Sequence, residues 1–378
     1  MQPAENEVYD RITKKLPKNW ALSVHPDEIE IPFRQMNRSP FAPSPAVAAR
    51  FPSGWRARLA RDPIPALLRE GPPSLSARIR RELIDDDEAP RGSEVLAYAD
   101  VKAFLKKQSR KGDFPAKPLE KALGPEKFAS VIATVRALER MAELGLDSTE
   151  SAVALAAEFV LSTQNKDGGI AALAIGETKT DRAKLPAVHF HGWALAALCR
   201  VGLDAEPRVA EAFQFLLQWR QADGGWAWRG VRCDSSARPS SHLITGMALR
   251  AFASSSSRRS SREARRAAEL LATRFLQPDR YPDRKAPTYW EQLAEPRFYV
   301  DMLDALDTVT AVGLGKENSG VRTAEAYVRG RQSSDGLWYP GGPSEPGAAP
   351  RIPSVAPKDR DAARWLTVRA LSVLRRVN

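Results

Sequence analysis

The chain has 378 residues, 43% of them hydrophobic, with 29 prolines, two cysteines and a formal net charge of +11. That much apolar material builds a sizeable core, two cysteines exclude a disulfide framework, and the lack of a long apolar run excludes a predicted helical membrane span. A reducing, cytoplasmic setting is expected, since the polar, acidic start does not read as a secretory signal, and the surplus positive charge suits an anionic partner such as a diphosphate or an acidic surface. The excess is dispersed along the chain, so nucleic acid is not the expected partner.

Residues 1 to 58 form an irregular Pro-rich arm with isolated aromatics (Trp20, Phe33, Phe41, Phe51, Trp55) and no sustained helical or strand period. Such an arm is expected to lie across the body or to be partly disordered, and it is the candidate contact for a peptide or protein partner. Residues 59 to 378 read as one helical body. Two short amphipathic pieces, 63 to 70 and 74 to 84, predict a first hairpin, and the acidic run Asp85-Asp86-Asp87-Glu88 before a Pro-Gly loop reads as a solvated turn ending it.

A repeat then sets in. Gln108, Gln164, Gln221, Gln277 and Gln332 are spaced by 56, 57, 56 and 55 residues, each joining an amphipathic helix to a turn. Three copies are strong: FVLSTQNKDGGI, FLLQWRQADGGW and YVRGRQSSDGLW. Aspartate bonds its own turn backbone and glycine takes the left-handed conformation that closes a helix, so each helix stops there. Leu144-Gly145-Leu146, Val201-Gly202-Leu203 and Val312-Gly313-Leu314 end a second helix, so one repeat is two helices.

These helices are of two kinds. Segments near 150 to 163, 206 to 219, 261 to 276 and 320 to 331 carry one apolar stripe and predict outer helices. Segments such as 191 to 201 and 241 to 253 are small and apolar nearly all round, so neighbours must enclose them as inner helices. About six of each predict an all-α fold, an (α/α)6 toroid; an open superhelix of the same hairpins is the structural alternative.

The repeat blocks resemble the Gln-Trp repeats of the prenyltransferase and squalene cyclase superfamily, and the stretches 298 to 314 and 360 to 376 look more closely like bacterial prenyltransferase-like repeat proteins. The resemblance implies an α/α toroid with a central cavity and a terpenoid cyclase- or prenyltransferase-like enzyme acting on a hydrophobic isoprenoid-type substrate that can bear a diphosphate. The cyclase Asp-x-Asp-Asp motif is missing, and so is the Cys-Gly-Glu-Gln thioester of complement-like toroids.

Inner helices start on the face to which the Gln turns lead, so their first turns are expected to converge on the cavity mouth. Three of the four histidines stand there. His189, His191 and His242 are candidate zinc ligands, since a His-x-His pair with a third histidine from the next repeat leaves an open coordination position. The resemblance adds that protein prenyltransferases and lanthipeptide cyclases carry zinc in such toroids; Cys233 and Asp234 lie in the loop before His242. The competing reading is that these histidines line the cavity or bond backbone.

Asp301 and Asp304, three apart on one helix face, are candidates for acid and base with His242, and Arg364 is the expected ion-pair partner of Asp304 if the pair is structural. Trp193, Tyr299, Thr245, Arg364 and Trp365 are the candidate substrate contacts, whereas Trp226 and Trp338 are expected to brace turns. The stretch Ser254 to Arg266 reads as a basic solvated loop, or alternatively as a phosphate-binding or regulatory lip. A ring without catalysis, holding a peptide, lipid or protein partner at its mouth, is the second functional expectation.

Overall fold

The computed structural model describes residues 54–115, 126–170, 188–227, 240–279, 290–295, 300–341 and 357–378. Among them the chain is helical, with no strand and three isolated bridges that pin turns. In chain order the helices are α1 (Ile64–Glu70), α2 (Pro73–Leu83), α3 (Ser93–Leu96), α4 (Ala99–Leu105), α5 (Glu126–Leu144), α6 (Ser151–Leu161) and α7 (Val188–Arg200). Then follow α8 (Pro207–Gln218), α9 (His242–Ser254), α10 (Arg262–Ala272), α11 (Met302–Ala311), α12 (Ser319–Gly330) and α13 (Pro357–Val377).

The inner layer is a closed ring. α2 packs on α5, α5 on α7, α7 on α9, α9 on α11, α11 on α13, and α13 returns to α2. Outside it, α1 and α4 cover α2, while α6, α8, α10 and α12 cover α5, α7, α9 and α11 in turn. The two layers differ in sequence as their surroundings require. α10 buries only Ala264, Ala267, Ala268, Leu271 and Ala272, a stripe at three- and four-residue spacing, whereas α9 is buried at every position from His242 to Phe252. Where α7 meets α9 the backbones nearly touch: a Cβ on Gly192 would lie 2.5 Å from the carbonyl oxygen of Met247. Only glycine fits that crossing.

One clamp is used four times to set the repeat. The side-chain amide of Gln164 donates to the Gly168 carbonyl inside its own turn (2.9 Å) and to Arg208 O at the start of the next outer helix (2.8 Å). Gln108 does the same with Gly112 O and Ala152 O. In the second strong copy the clamp is Arg220, whose guanidinium reaches Gly224 O and Glu263 O, so the residue equivalent to Gln164 is Arg220 and Gln221 stands one place on. Gln332 closes the circle: it donates to Gly336 O (2.9 Å) and Arg61 O (2.6 Å) and accepts from Ala60 N (2.9 Å), tying the last repeat to the first outer helix. The clamp positions 108, 164, 220 and 332 thus fall on a strict 56-residue grid. Gly112, Gly168, Gly224 and Gly336 all have φ between 84° and 102°, the left-handed region expected of them.

The expected closed toroid is therefore the observed fold, and the open superhelix is not. Most of the N-terminal arm, residues 1–53, lies outside the described residues, as do Tyr299, Trp228, Cys233, Asp234 and the side chain of His189. No helix among the described residues is long and apolar enough to cross a membrane.

Candidate functional site: an arginine-lined central chamber

The first turns of the inner helices are occupied by structure. His191 is fully buried; its Nδ1 accepts from Ile170 N (3.0 Å) and its Nε2 donates to Ala212 O (2.8 Å). Burial pushes its pKa down to about 4, so it is the neutral ring that holds these two bonds. Its counterparts in other repeats are threonines. Phe114 N donates to Thr134 Oγ1 (3.0 Å), Trp226 N to Thr245 Oγ1 (3.0 Å) and Trp338 N to Thr367 Oγ1 (2.9 Å). His191 and Thr245 therefore anchor turns to inner helices, the positions from which His191 was expected to hold zinc and Thr245 to contact substrate.

His242 is buried, stacked on Trp290 with ring centroids 6.1 Å apart, and its backbone N–H donates to Asp279 Oδ2 (2.8 Å). The void beside it, bounded also by Ser240, Thr245 and Arg274, measures about 10 Å³, room for one water molecule. Among the described residues no group of three or more His, Cys, Asp or Glu side chains is arranged to hold a metal ion. Both nitrogens of His191 are bound to backbone, so in this arrangement it has none left to offer a metal.

The two aspartates are also engaged. Asp301 caps α11, accepting from Asp304 N (2.8 Å) and Ala294 N (2.9 Å), and lies 3.8 Å from an Arg369 nitrogen. Asp304, wholly buried, pairs with Arg250 at 2.6 Å. The expected partner Arg364 instead bonds Asp361 at 2.9 Å. Asp301 is held above the usual carboxylate range, chiefly by burial. The acid and base expected at the cavity are thus a helix cap and one half of a buried ion pair. Trp193 is fully buried against Phe190, and Trp365 lies under the guanidinium of Arg140, 4.1 Å from its ring centre. Trp226 and Trp338 brace turns as expected, each indole N–H donating to an outer-helix carbonyl, Leu216 O and Val328 O.

The middle of the ring is ionic. Arg140 bonds Glu143 (3.0 Å) and Glu295 (2.8 Å), Arg78 meets Glu82 (3.0 Å) and Glu143 (3.5 Å), and Arg369 stands 3.7 Å from Glu295. Burial, with the like charge of Glu143 second, raises the pKa of Glu295. Next to this network a chamber of about 370 Å³ opens on the face where the inner helices end. Inner helices of this length carry the first turns some 15 Å away, at about 1.5 Å of rise per residue. Six arginines line the chamber (Arg78, Arg200, Arg250, Arg259, Arg369, Arg376) against two carboxylates, Glu82 and Asp307. Ser254, Thr308, Thr310 and Ser372 add hydroxyls, and Ala253, Ala311 and Val373 complete the wall.

The buried arginines face the acids behind the wall: Arg369, 2% exposed, donates to Ala294 O (2.8 Å) and turns Nη1 toward Glu295 (3.7 Å), and Arg78, 3% exposed, turns Nη1 toward Glu143 (3.5 Å). The signal missed in the sequence was arginine within helices otherwise apolar enough to be enclosed: Arg250 in HLITGMALRAFAS and Arg369 in WLTVRALSV.

Comparison of the sequence with family models and with curated proteins gives no match. Solved structures are similar in shape. A protein from Actinoplanes shares 17% identity at a TM-score of 0.45, over 81% of this chain and 88% of the other. The type II terpene cyclase MstE from Scytonema is similar in a substituted form in complex with geranylgeranyl dihydroxybenzoate (14% identity, TM-score 0.41, 81% and 86% covered) and in its apo form (15%, 0.38, 80% and 86%).

Proposed function

We propose that the toroid binds an anionic, phosphate-bearing small molecule in its central chamber. The observation that carries this reading is the arginine-rich lining, in which Arg78, Arg200, Arg250, Arg369 and Arg376 are ion-paired to acids in or behind the wall and Arg259 stands exposed with no ion pair among the described residues. A guanidinium meets phosphate oxygens through paired donors, and Arg259 and Arg376 are the exposed arginines of the lining. The isoprenoid-type substrate implied by the resemblance meets this chamber at its diphosphate end. The hydrophobic chain of such a substrate would lie outside the chamber, whose own wall offers only Ala253, Ala311 and Val373 as apolar members.

Calorimetric titration of the full chain with inorganic pyrophosphate tests the reading. Binding is expected, weakening steeply with salt and at least several-fold in Arg259→Glu, an exposed residue of the lining that makes no ion pair among the described residues. No heat and no rise in melting temperature at millimolar pyrophosphate would overturn it.

A further inference from the structure

The wall of the chamber says more about its occupant than the sign of the charge. We propose that the ligand is a compact phosphorylated polyol, a sugar phosphate or an inositol phosphate in chemical class, held entirely within the chamber; this rests on the reading that the chamber takes an anion.

Three features select that class. The first is size, since about 370 Å³ is at the small end of the roughly 300 to 1,000 Å³ of small-molecule sites, enough for a ring or short chain with two or three phosphates. The second is the scarcity of apolar wall: two alanines and one valine cannot bury a long hydrocarbon, so a prenyl chain would gain little from entering. The third is the carboxylates. Glu82 and Asp307 would repel a bare polyphosphate, yet they are acceptors for a ligand that also carries hydroxyls.

Their placement is orderly. Glu82 is fixed by Arg78 Nε (3.0 Å) and Ser372 Oγ (2.9 Å), and Asp307 by Arg376 Nη1 (2.9 Å), so each carboxylate stands beside an arginine. Thr308 donates its hydroxyl to Asp304 O (2.7 Å), which leaves its oxygen lone pairs as acceptors. A phosphate oxygen can meet the exposed guanidiniums of Arg259 and Arg376 while neighbouring ligand hydroxyls donate to Glu82, Asp307 or Thr308. Neither pyrophosphate nor a prenyl diphosphate offers both kinds of group. Ser254 at the end of α9 and exposed Arg259 in the loop after it belong to the same wall.

The test is a competition series on the full chain, comparing fructose 1,6-bisphosphate and myo-inositol 1,4,5-trisphosphate with inorganic pyrophosphate and geranylgeranyl diphosphate. At least one phosphorylated polyol is expected to bind ten-fold or more tightly than pyrophosphate, and Arg259→Glu and Ser254→Asp are expected to weaken it ten-fold or more. Circular dichroism melts of both variants without ligand check that they fold; should one fail, the other carries the comparison. Geranylgeranyl diphosphate binding more tightly than either polyol overturns this proposal and leaves the anion chamber standing. Equal binding of all anions, tracking charge alone, also overturns it, and binding of none overturns both readings.

Discussion

A single histidine shows how a repeat protein can disguise a structural position as a chemical one. At the point where each turn meets its inner helix, the chain needs one side-chain acceptor for a buried backbone N–H, and Thr134, Thr245 and Thr367 supply it. His191 supplies it once, with Nδ1, and must stay neutral to do so. Its pKa of about 4 in the fold lies below the ordinary 6.5, so the unfolded chain takes up a proton that the folded chain refuses. The sign follows: stability is fully present above pH 6.5 and is lost as pH falls from there toward 4. The difference corresponds to roughly 3 kcal/mol at the acid end. His191→Thr, which installs the residue other repeats use, should therefore melt at a lower temperature than the parent at pH 8, from lost packing, and lose less stability than the parent between pH 6.5 and 4. Parallel pH curves for the two proteins would show that His191 is not the neutral acceptor described.

Turns and helices obey a stricter rule than their residue types suggest. The clamp grid of 56 residues was legible because glutamine recurs, and the split into one-faced outer and all-round apolar inner helices followed from burial alone. Gln221 belongs to the glutamine series but stands one place off the grid, because Arg220 clamps there with a different side chain, and no count of glutamines can find that. Gln332 has the added task of closing the ring, with bonds to Gly336 O and Arg61 O and one from Ala60 N. At about 1 kcal/mol net per bond, Gln332→Ala should cost roughly 2 to 4 kcal/mol. Arg220→Gln, which restores the common residue, should cost less than about 1 kcal/mol. Chemical denaturation of both variants measures the contrast, and an equal cost would mean that the clamp is incidental. The chamber escaped the same reading because its wall is assembled from helix ends of several repeats, and no sequence window holds them together.

On the scale of the whole molecule, six inner helices enclose a charged interior where an oily one was expected, and its stability depends on pairing. Glu295 and Asp301, both buried, are held above their ordinary pKa values of 4.5 and 3.8, mainly by loss of water, with Arg369 opposing that rise. An acid whose folded pKa is raised gives stability that is fully present below its unfolded pKa and lost as pH rises through the folded one. Arg369→Met keeps the bulk and removes the cation, so both carboxylates face a larger penalty for ionising, and the buried Ala294 carbonyl loses its donor. Breaking a buried pair in this way typically costs about 3 to 5 kcal/mol. The deficit against the parent should be greatest near neutral pH and shrink as pH falls toward 4, because protonated carboxyls no longer need the arginine. The lost bond to Ala294 should leave a smaller remainder that does not vary with pH. Melting temperatures of the two proteins from pH 4 to 8 check this directly. A gap of constant size would assign Arg369 to packing and that single bond, and would mean that the ionic interior is held by Arg140 and Arg78 without it.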